Sequence, residues 1–410
     1  MALSKKMEKR AAFASWLNTT NEITRTFLAA GAIPDLINLA GGLPAVELLP
    51  TDQLSEIAER AITTHPVDTL GYGPIEGLAD LRVAIAKRFS SSALSLSKEN
   101  VLVTTSGMQG LDLIGKVLLN EGDLLASQSP TYLGALDAWR PRQPKIRNMP
   151  FDAPGFDPIA ALDGAKFAYS VPNFSNPTGK QVSEPMRQSL VDAAHTTGTW
   201  LVEDDPYGTL TFDGEVLPRL IEISANSYPS KHYEGPVVYM GTVSKQIAPG
   251  LRIGWIIAAP EMIKALTLAK QGSDMCTSGL TQRVVLEAIE SGLIESIQVE
   301  AVALYRERRD ALCKALTKHL SEWFEWEVPV GGMFVWAQAR DQRLDTDVLL
   351  DYAMQSGVCV SPSSVFDSTG KNRQALRLNF TLNSPQAIEE GVSRLADAIQ
   401  LYQRHRGGQQ

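Results

Sequence analysis

Short unbroken apolar runs punctuate this chain and alternate with stretches that repeat their apolar positions every three to four residues. The runs Val237-Val238-Tyr239-Met240 and Ile253 to Ala259 read as strands buried on both faces, the signature of a parallel sheet covered by helices. Residues 101–123 read as strand, tight turn and amphipathic helix, and Leu124-Leu125 opens another strand. Residues 166–183 hold a strand that runs into a Pro-rich turn, a helix follows over roughly Pro185 to Thr197, and TWLVEDDPYGTL gives a further buried strand. A helix is predicted over Thr51 to Thr64, with Thr51 and Asp52 as its caps. Downstream, residues 294–320 carry a charged helix with an apolar stripe, and 375–381 alternates as a strand. This order predicts an α/β sandwich with a mostly parallel sheet, whose ligands collect at the carboxyl ends of its strands.

A chain of 410 residues suffices for one large and one small domain. The expected division is an N-terminal arm over 1–45 associated with the small domain, a large domain over 46–275 and a small C-terminal domain over 276–410. A net charge of −8 argues against a nucleic-acid surface, which needs a basic patch. No apolar run is long enough to span a bilayer, and no signal-peptide pattern opens the chain, so a cytoplasmic protein is expected. Three scattered cysteines and five unclustered histidines show neither a disulfide framework nor a metal site. Among motifs, no G-x-G-x-x-G follows a strand, and Gly179-Lys180 precedes Gln181, which excludes a P-loop.

Candidate chemistry concentrates in GTVSKQIAPGLRIGW, residues 241–255. A lysine held between two buried strands, Lys245, loses its proton more readily than a solvated one and can condense with an aldehyde. Arg252 with the hydroxyls of Thr242 and Ser244 suits a phosphate dianion. The turn at Ser106-Gly107-Met108 opens a helix after a strand, a geometry that aims backbone N–H groups at an anion. Three carboxylates, Glu203-Asp204-Asp205, cap another strand and require solvent or cationic partners. Tyr72 lies in a Gly-rich turn, Tyr132 beside Pro130 and Gly134, Asn176 in N-P-T-G, and Arg377 in an alternating strand. Gly41-Gly42 permits close backbone approach.

Together N-P-T-G, D-x-x-Y, S-K-x-x-x-P-G-x-R and P-x-G-G-M-F, which occur in this order along the chain as in the family, resemble the class I/II aminotransferases, fold type I enzymes dependent on pyridoxal 5′-phosphate (PLP). The resemblance spans residues 20–400 or so and is nearest the branch acting on 2-aminoadipate, kynurenine and other bulky amino acids. It implies a three-layer α/β/α large domain and a smaller α+β domain. By the same resemblance Lys245 is the Schiff-base lysine, and Thr242, Ser244 and Arg252 hold the cofactor phosphate. Backbone donors of Gly107 and Met108 join them, with the Ser106 hydroxyl left open, because the family typically has G-S-Q where this chain has Ser106-Gly107-Met108. Tyr132 lies flat on the pyridine ring, Asn176 and Tyr207 bond its 3′ oxygen, and Asp204 faces its nitrogen, Asp205 being the nearest alternative and Glu203 structural. Arg377 clamps the substrate α-carboxylate beside Asn176 and the Gly41-Gly42 loop. Tyr72 reaches the phosphate of a partner's cofactor, which implies a homodimer with shared sites. Arg25 is placed near the substrate side chain unless Glu22 pairs with it. The expected reaction is ping-pong transfer of an amino group from an L-amino acid to a 2-oxo acid such as 2-oxoglutarate. Racemase, β-lyase and decarboxylase chemistry share the same residues, and a PLP-binding regulatory sensor is a further alternative. The sensor is disfavoured by the acidic charge and by the roughly 20 residues ahead of the resemblance, too few for a winged helix.

Overall fold

The computed structural model describes residues 11–19, 26, 30 and 33–407. Arg25 and Glu22 lie outside the described residues, and so does most of the expected N-terminal helix. The thirteen strands in chain order are β1 (Ile37–Asn38), β2 (Val101–Thr104), β3 (Leu124–Gln128), β4 (Lys145–Met149), β5 (Phe167–Ser170), β6 (Trp200–Asp204), β7 (Val237–Thr242), β8 (Gly254–Ile257), β9 (Phe324–Glu325), β10 (Phe334–Ala339), β11 (Val358–Cys359), β12 (Ser361–Pro362) and β13 (Ala375–Asn379).

Seven of them form one sheet in the order β2-β8-β7-β6-β5-β3-β4. Only β8 runs against its neighbours; the other contacts in the sheet are parallel. Alternate residues of one strand enter different cores, which explains the unbroken apolar runs. Leu102, Val238, Met240 and Ile256 pack with helices Ser106–Leu118 and Leu133–Trp139 on one face. Val101, Val103, Val237, Tyr239 and Ile257 pack with helices Ala79–Phe89, Glu184–Thr197 and Leu220–Ser227 on the other. Helix, sheet and helix therefore make three layers, as the alternation predicted.

A four-stranded antiparallel sheet, β12-β13-β10-β9, lies beyond this sandwich in sequence and shares its core with helices Leu293–Leu320 and Pro385–Gly407. Its junction with the large sheet is the Gly331-Gly332 turn. The Gly332 N–H donates to Leu210 O (2.9 Å), and with φ +79 a Cβ there would meet Phe174 at 2.4 Å. Only glycine fits that close crossing. β1 pairs in parallel with β11, and Asn379 N–H donates to Leu39 O (2.7 Å), which draws the Ala40–Leu43 loop over the same junction. One local expectation fails: the helix spans Thr51–Thr64 as expected, but its N-cap lies ahead of the two residues proposed for it. Pro50 is the N-cap and no side chain caps it, so Thr51 and Asp52 are first-turn residues and Asp52 acts through the helix dipole.

Candidate functional site

Because β8 is reversed, its beginning lies level with the ends of its neighbours. Gly254 pairs with both Thr104 of β2 and Thr242 of β7, so three consecutive strands deliver their polar turns to one place. From β2 comes Ser106, the first residue of its helix, followed by the unpaired first-turn N–H groups of Gly107 and Met108. From β7 come Thr242 and Ser244, whose hydroxyls lie 2.9 Å apart. From β8 comes Arg252, in the left-handed region at φ +53, whose Nη2 donates to Ser106 Oγ at 2.5 Å. The donor set of one guanidinium, three hydroxyls and a helix N-terminus fits a phosphate dianion.

Lys245 sits in the turn between β7 and β8, and its Nζ donates to Gly42 O at 2.7 Å. Burial, with Arg377 and then Arg252 adding repulsion, pushes its amine down to about 8. Across from it, Arg377 projects from β13 between the rings of Phe334 and Phe366, 4.3 and 4.6 Å from their centroids. Its Nη1 donates to Asn176 Oδ1 (2.7 Å), its Nη2 to Ala40 O and to Ser361 Oγ (3.2 Å), and its Nε is buried with no partner. Burial pushes this guanidinium down to about 10. Among the described residues no carboxylate pairs with Lys245, Arg252 or Arg377. Three cations gathered without an anion are a site built for an anionic ligand.

The carboxylates at the end of β6 divide cleanly. Glu203 accepts from Leu220 N–H (2.8 Å) and Ile221 N–H (3.0 Å) and so caps the helix Leu220–Ser227, a structural role as expected. Asp205 is buried and saturated: it accepts from Asn173 Nδ2 (2.9 Å), Gly208 N–H (2.9 Å) and Tyr239 Oη (3.1 Å), with Arg219 at 3.8 Å. Among the described residues Asp204 accepts from Tyr169 Oη alone, at 2.7 Å, and keeps oxygen lone pairs free. Burial raises its carboxyl to about 6 against the opposing Tyr169 bond, with Asp205 adding repulsion. A partly satisfied, buried carboxylate is matched to a cationic ring nitrogen, and a saturated one is not.

Asn176 is fixed by a tight turn in which Ser175 N–H donates to Lys180 O (2.8 Å) and Gly179 N–H to Ser175 O (2.6 Å). At Gly179 φ is +69, and a Cβ would strike Phe334 O at 2.4 Å, which accounts for the glycine of N-P-T-G. Asn176 also hydrogen-bonds the Tyr207 hydroxyl, which burial raises above its ordinary range. Tyr132, the N-cap of helix Leu133–Trp139, is raised to about 12 by burial and by Asp204; its Oη contacts Met108 Sδ at 3.6 Å. Asn38 Oδ1 accepts from Ala40 N–H (2.9 Å) and Gly41 N–H (3.1 Å), shaping the Gly41-Gly42 loop. Tyr72 is the exception: among the described residues it shares no hydrogen bond with these groups, and it stands 91% exposed.

The residues not anticipated are partners of those that were. Tyr169 reaches Asp204 from the neighbouring strand, and Phe334 and Phe366 sandwich Arg377. P-x-G-G-M-F pointed to the region of Phe334, but only the pairing of β5 with β6 shows that Tyr169 and Asp204 share a face.

The family model for aminotransferases of class I and II matches residues 34–395. The chain is 36% identical over 378 residues to aromatic-amino-acid aminotransferase 1 of Thermococcus litoralis, covering 89% of this chain and 88% of that one. It superposes with the kynurenine aminotransferase of Pyrococcus horikoshii at a TM-score of 0.87, with 32% identity and coverage of 98% and 99%. For the α-aminoadipate aminotransferase of Thermus thermophilus, solved with N-(5′-phosphopyridoxyl)-L-leucine, the TM-score is 0.83 and identity 32%, over 94% and 98% of the chains. The chain belongs to the class I and II aminotransferases, and its cofactor is pyridoxal 5′-phosphate.

Proposed function

We propose that this enzyme moves the amino group of a bulky L-amino acid, aromatic or 2-aminoadipate-like, to a 2-oxo acid such as 2-oxoglutarate, with Lys245 at the reacting centre. The observation that carries the reading is the set of three cations without a carboxylate partner among the described residues, together with a buried, half-satisfied Asp204. The substrate class rests on the relatives, which are named for aromatic amino acids, kynurenine and aminoadipate.

When bound, PLP supplies an electron sink for the pair left behind as a proton leaves the substrate Cα. Arg252, Ser106, Thr242, Ser244 and the N–H groups of Gly107 and Met108 are assigned to its phosphate. Asp204, oriented by Tyr169, would keep the ring nitrogen protonated. Asn176 and Tyr207 are assigned to the 3′ oxygen, and Tyr132 to one ring face. Lys245, its amine depressed toward neutrality, would hold the cofactor and, once displaced by substrate, would accept the proton leaving the substrate Cα. The Arg377 fork holds the α-carboxylate beside Asn176 and the Gly41-Gly42 loop; its planar geometry and aromatic sandwich fix the orientation of the Cα–H bond.

An exposed Tyr72, neighboured in sequence by exposed Val67 and Leu70, supports a homodimer in which this tyrosine enters the partner's site. Light scattering that returns a monomer at micromolar concentration contradicts the shared-site part alone. The test of the reaction is a panel of amino acids with PLP and 2-oxoglutarate, read as glutamate and the matching 2-oxo acid. Phenylalanine, tyrosine, kynurenine and 2-aminoadipate are expected to give both products. Turnover confined to small amino acids overturns the substrate class, and products of elimination or racemisation without glutamate overturn transfer.

A further inference from the structure

Ser106 holds a backbone conformation that its residue type disfavours. Its φ is +70, in the left-handed region where glycine is at ease and a side chain costs energy. Such strain persists only where surrounding contacts over-determine the turn. Here Thr104 Oγ1 donates to Ser106 O (3.0 Å), and Thr105 N–H donates to Gln109 Oε1 (2.7 Å). A third tether comes from a different part of the chain: Thr105 Oγ1 donates to Asp274 Oδ2 at 2.7 Å.

Asp274 is itself anchored. Lys270, wholly buried on the last turn of helix Pro260–Gln271, donates to Asp274 Oδ1 at 2.6 Å. Burial alone would raise the Asp274 carboxyl. The bonds from Lys270, Thr105 and Gln109 outweigh it and hold the group below the usual carboxylate range. Thr105 Oγ1 also lies 3.3 Å from Thr277 Oγ1, and Gln282 binds both Thr277 O (2.8 Å) and the Leu78 N–H (2.8 Å). A lysine is rarely sealed from water, and a pair such as this is justified by the geometry it imposes more than by stability.

We infer that Asp274, locked by Lys270, is a positioning residue for the phosphate end of the cofactor, acting through Thr105 to hold Ser106 and the Gly107 and Met108 N–H groups in their anion-binding arrangement. This rests on the proposed assignment of that turn to the phosphate. The carboxylate does not touch the ligand, and its charge is cancelled by Lys270, so it orders the turn without repelling a dianion. Lys270 and Asp274 thereby compensate for a serine at a position that favours glycine.

The test is PLP titration of the resolved full-length protein, followed by visible absorbance, for wild type, Thr105→Val and Asp274→Asn. A ³¹P spectrum of each loaded form and a melting curve of each unloaded form accompany it. Thr105→Val is expected to raise the dissociation constant about tenfold, the scale of one lost bond to a charged group. The ³¹P resonance shifts or broadens, while the unloaded melting temperature stays at the wild-type value. Asp274→Asn, which also leaves Lys270 without its counter-charge, is expected to weaken binding further. If that variant fails to fold, Thr105→Val decides alone. Binding within twofold of wild type with an unchanged ³¹P resonance overturns the inference. Failure of the wild-type protein to take up PLP instead overturns the cofactor assignment on which it stands.

Discussion

Two charged regions meet at the end of β6, and they are built on opposite rules. Behind the strand, Arg187 is wholly buried yet gives bonds to Val182 O, Pro218 O, Pro172 O and Asn173 Oδ1, at 2.6–2.9 Å. Asn173 passes the connection to Asp205, which Tyr239, Gly208 and Arg219 complete, and Arg219 also lies over the Phe89 ring, 4.9 Å from its centroid. In front of the strand, Lys245, Arg252 and Arg377 meet no carboxylate among the described residues, and Asp204 has one tyrosine. Both regions hold buried charge. The rear network spends its charge on internal partners and is architecture; the front set keeps its charge available and is the site. Consecutive residues of one motif, Asp204 and Asp205, fall on either side of that divide because side chains alternate along a strand and just beyond it.

Exchanging the two sides should therefore break different properties. Asp204→Asn is expected to lower kcat/KM by about 10³-fold, within the range of a lost acid–base partner, while the melting temperature of the unloaded protein holds or rises. A fall of less than tenfold would place Asp205 in the role of Asp204. Arg377→Lys should cost about 100-fold in kcat/KM, because an ammonium cannot reproduce the fork or the sandwich between Phe334 and Phe366. The same loss for amines lacking an α-carboxylate would remove Arg377 from carboxylate binding. Asp205→Ala, by contrast, is expected to destabilise the fold by about 3–5 kcal/mol, since the Asn173 amide and the Tyr239 hydroxyl are left buried without their acceptor, while Arg219 keeps Glu222. The refolded fraction should still take up PLP with the wild-type spectrum; if its spectrum is lost while stability is kept, the rear network is catalytic and the comparison fails.

The smallest effect concerns pH. Lys245 reaches about 8 in the folded, unloaded protein against an ordinary 10.5, so the native state binds fewer protons than the unfolded chain between these values. Stability of the unloaded wild type should rise with pH across that window, and the rate of PLP capture should rise as pH passes 8. Lys245→Met is expected to be more stable than wild type below pH 8, with the gap closing toward pH 10.5. A gap that does not vary with pH would mean the amine is not depressed.

Much of this site was legible before the fold. Lys245, Asn176, Asp204, Tyr207 and Arg252 sit in spaced motifs whose residue types state their chemistry, and the structure brings them, at or just past strand ends, together with Arg377 from the middle of β13. Unbroken apolar runs likewise announced a sheet buried on both faces. What escaped depends on distance in sequence. Tyr169 meets Asp204 only through the register of β5 on β6, and Asp274 meets Thr105 across 169 positions. The Thr51 and Asp52 caps failed because Pro50 already occupies the position ahead of the first turn. Tyr72 read as a site residue, and within one chain it is exposed to solvent.

The most direct measurement is to load the protein with PLP, reduce with borohydride, digest it and locate the pyridoxyl group by mass spectrometry. The account predicts a single modified peptide with the group on Lys245 Nζ, and no labelling in Lys245→Met. A group found on another lysine, or none in protein that shows the visible absorbance of bound PLP, would contradict the claim that the unpaired cations around Lys245 are the catalytic centre.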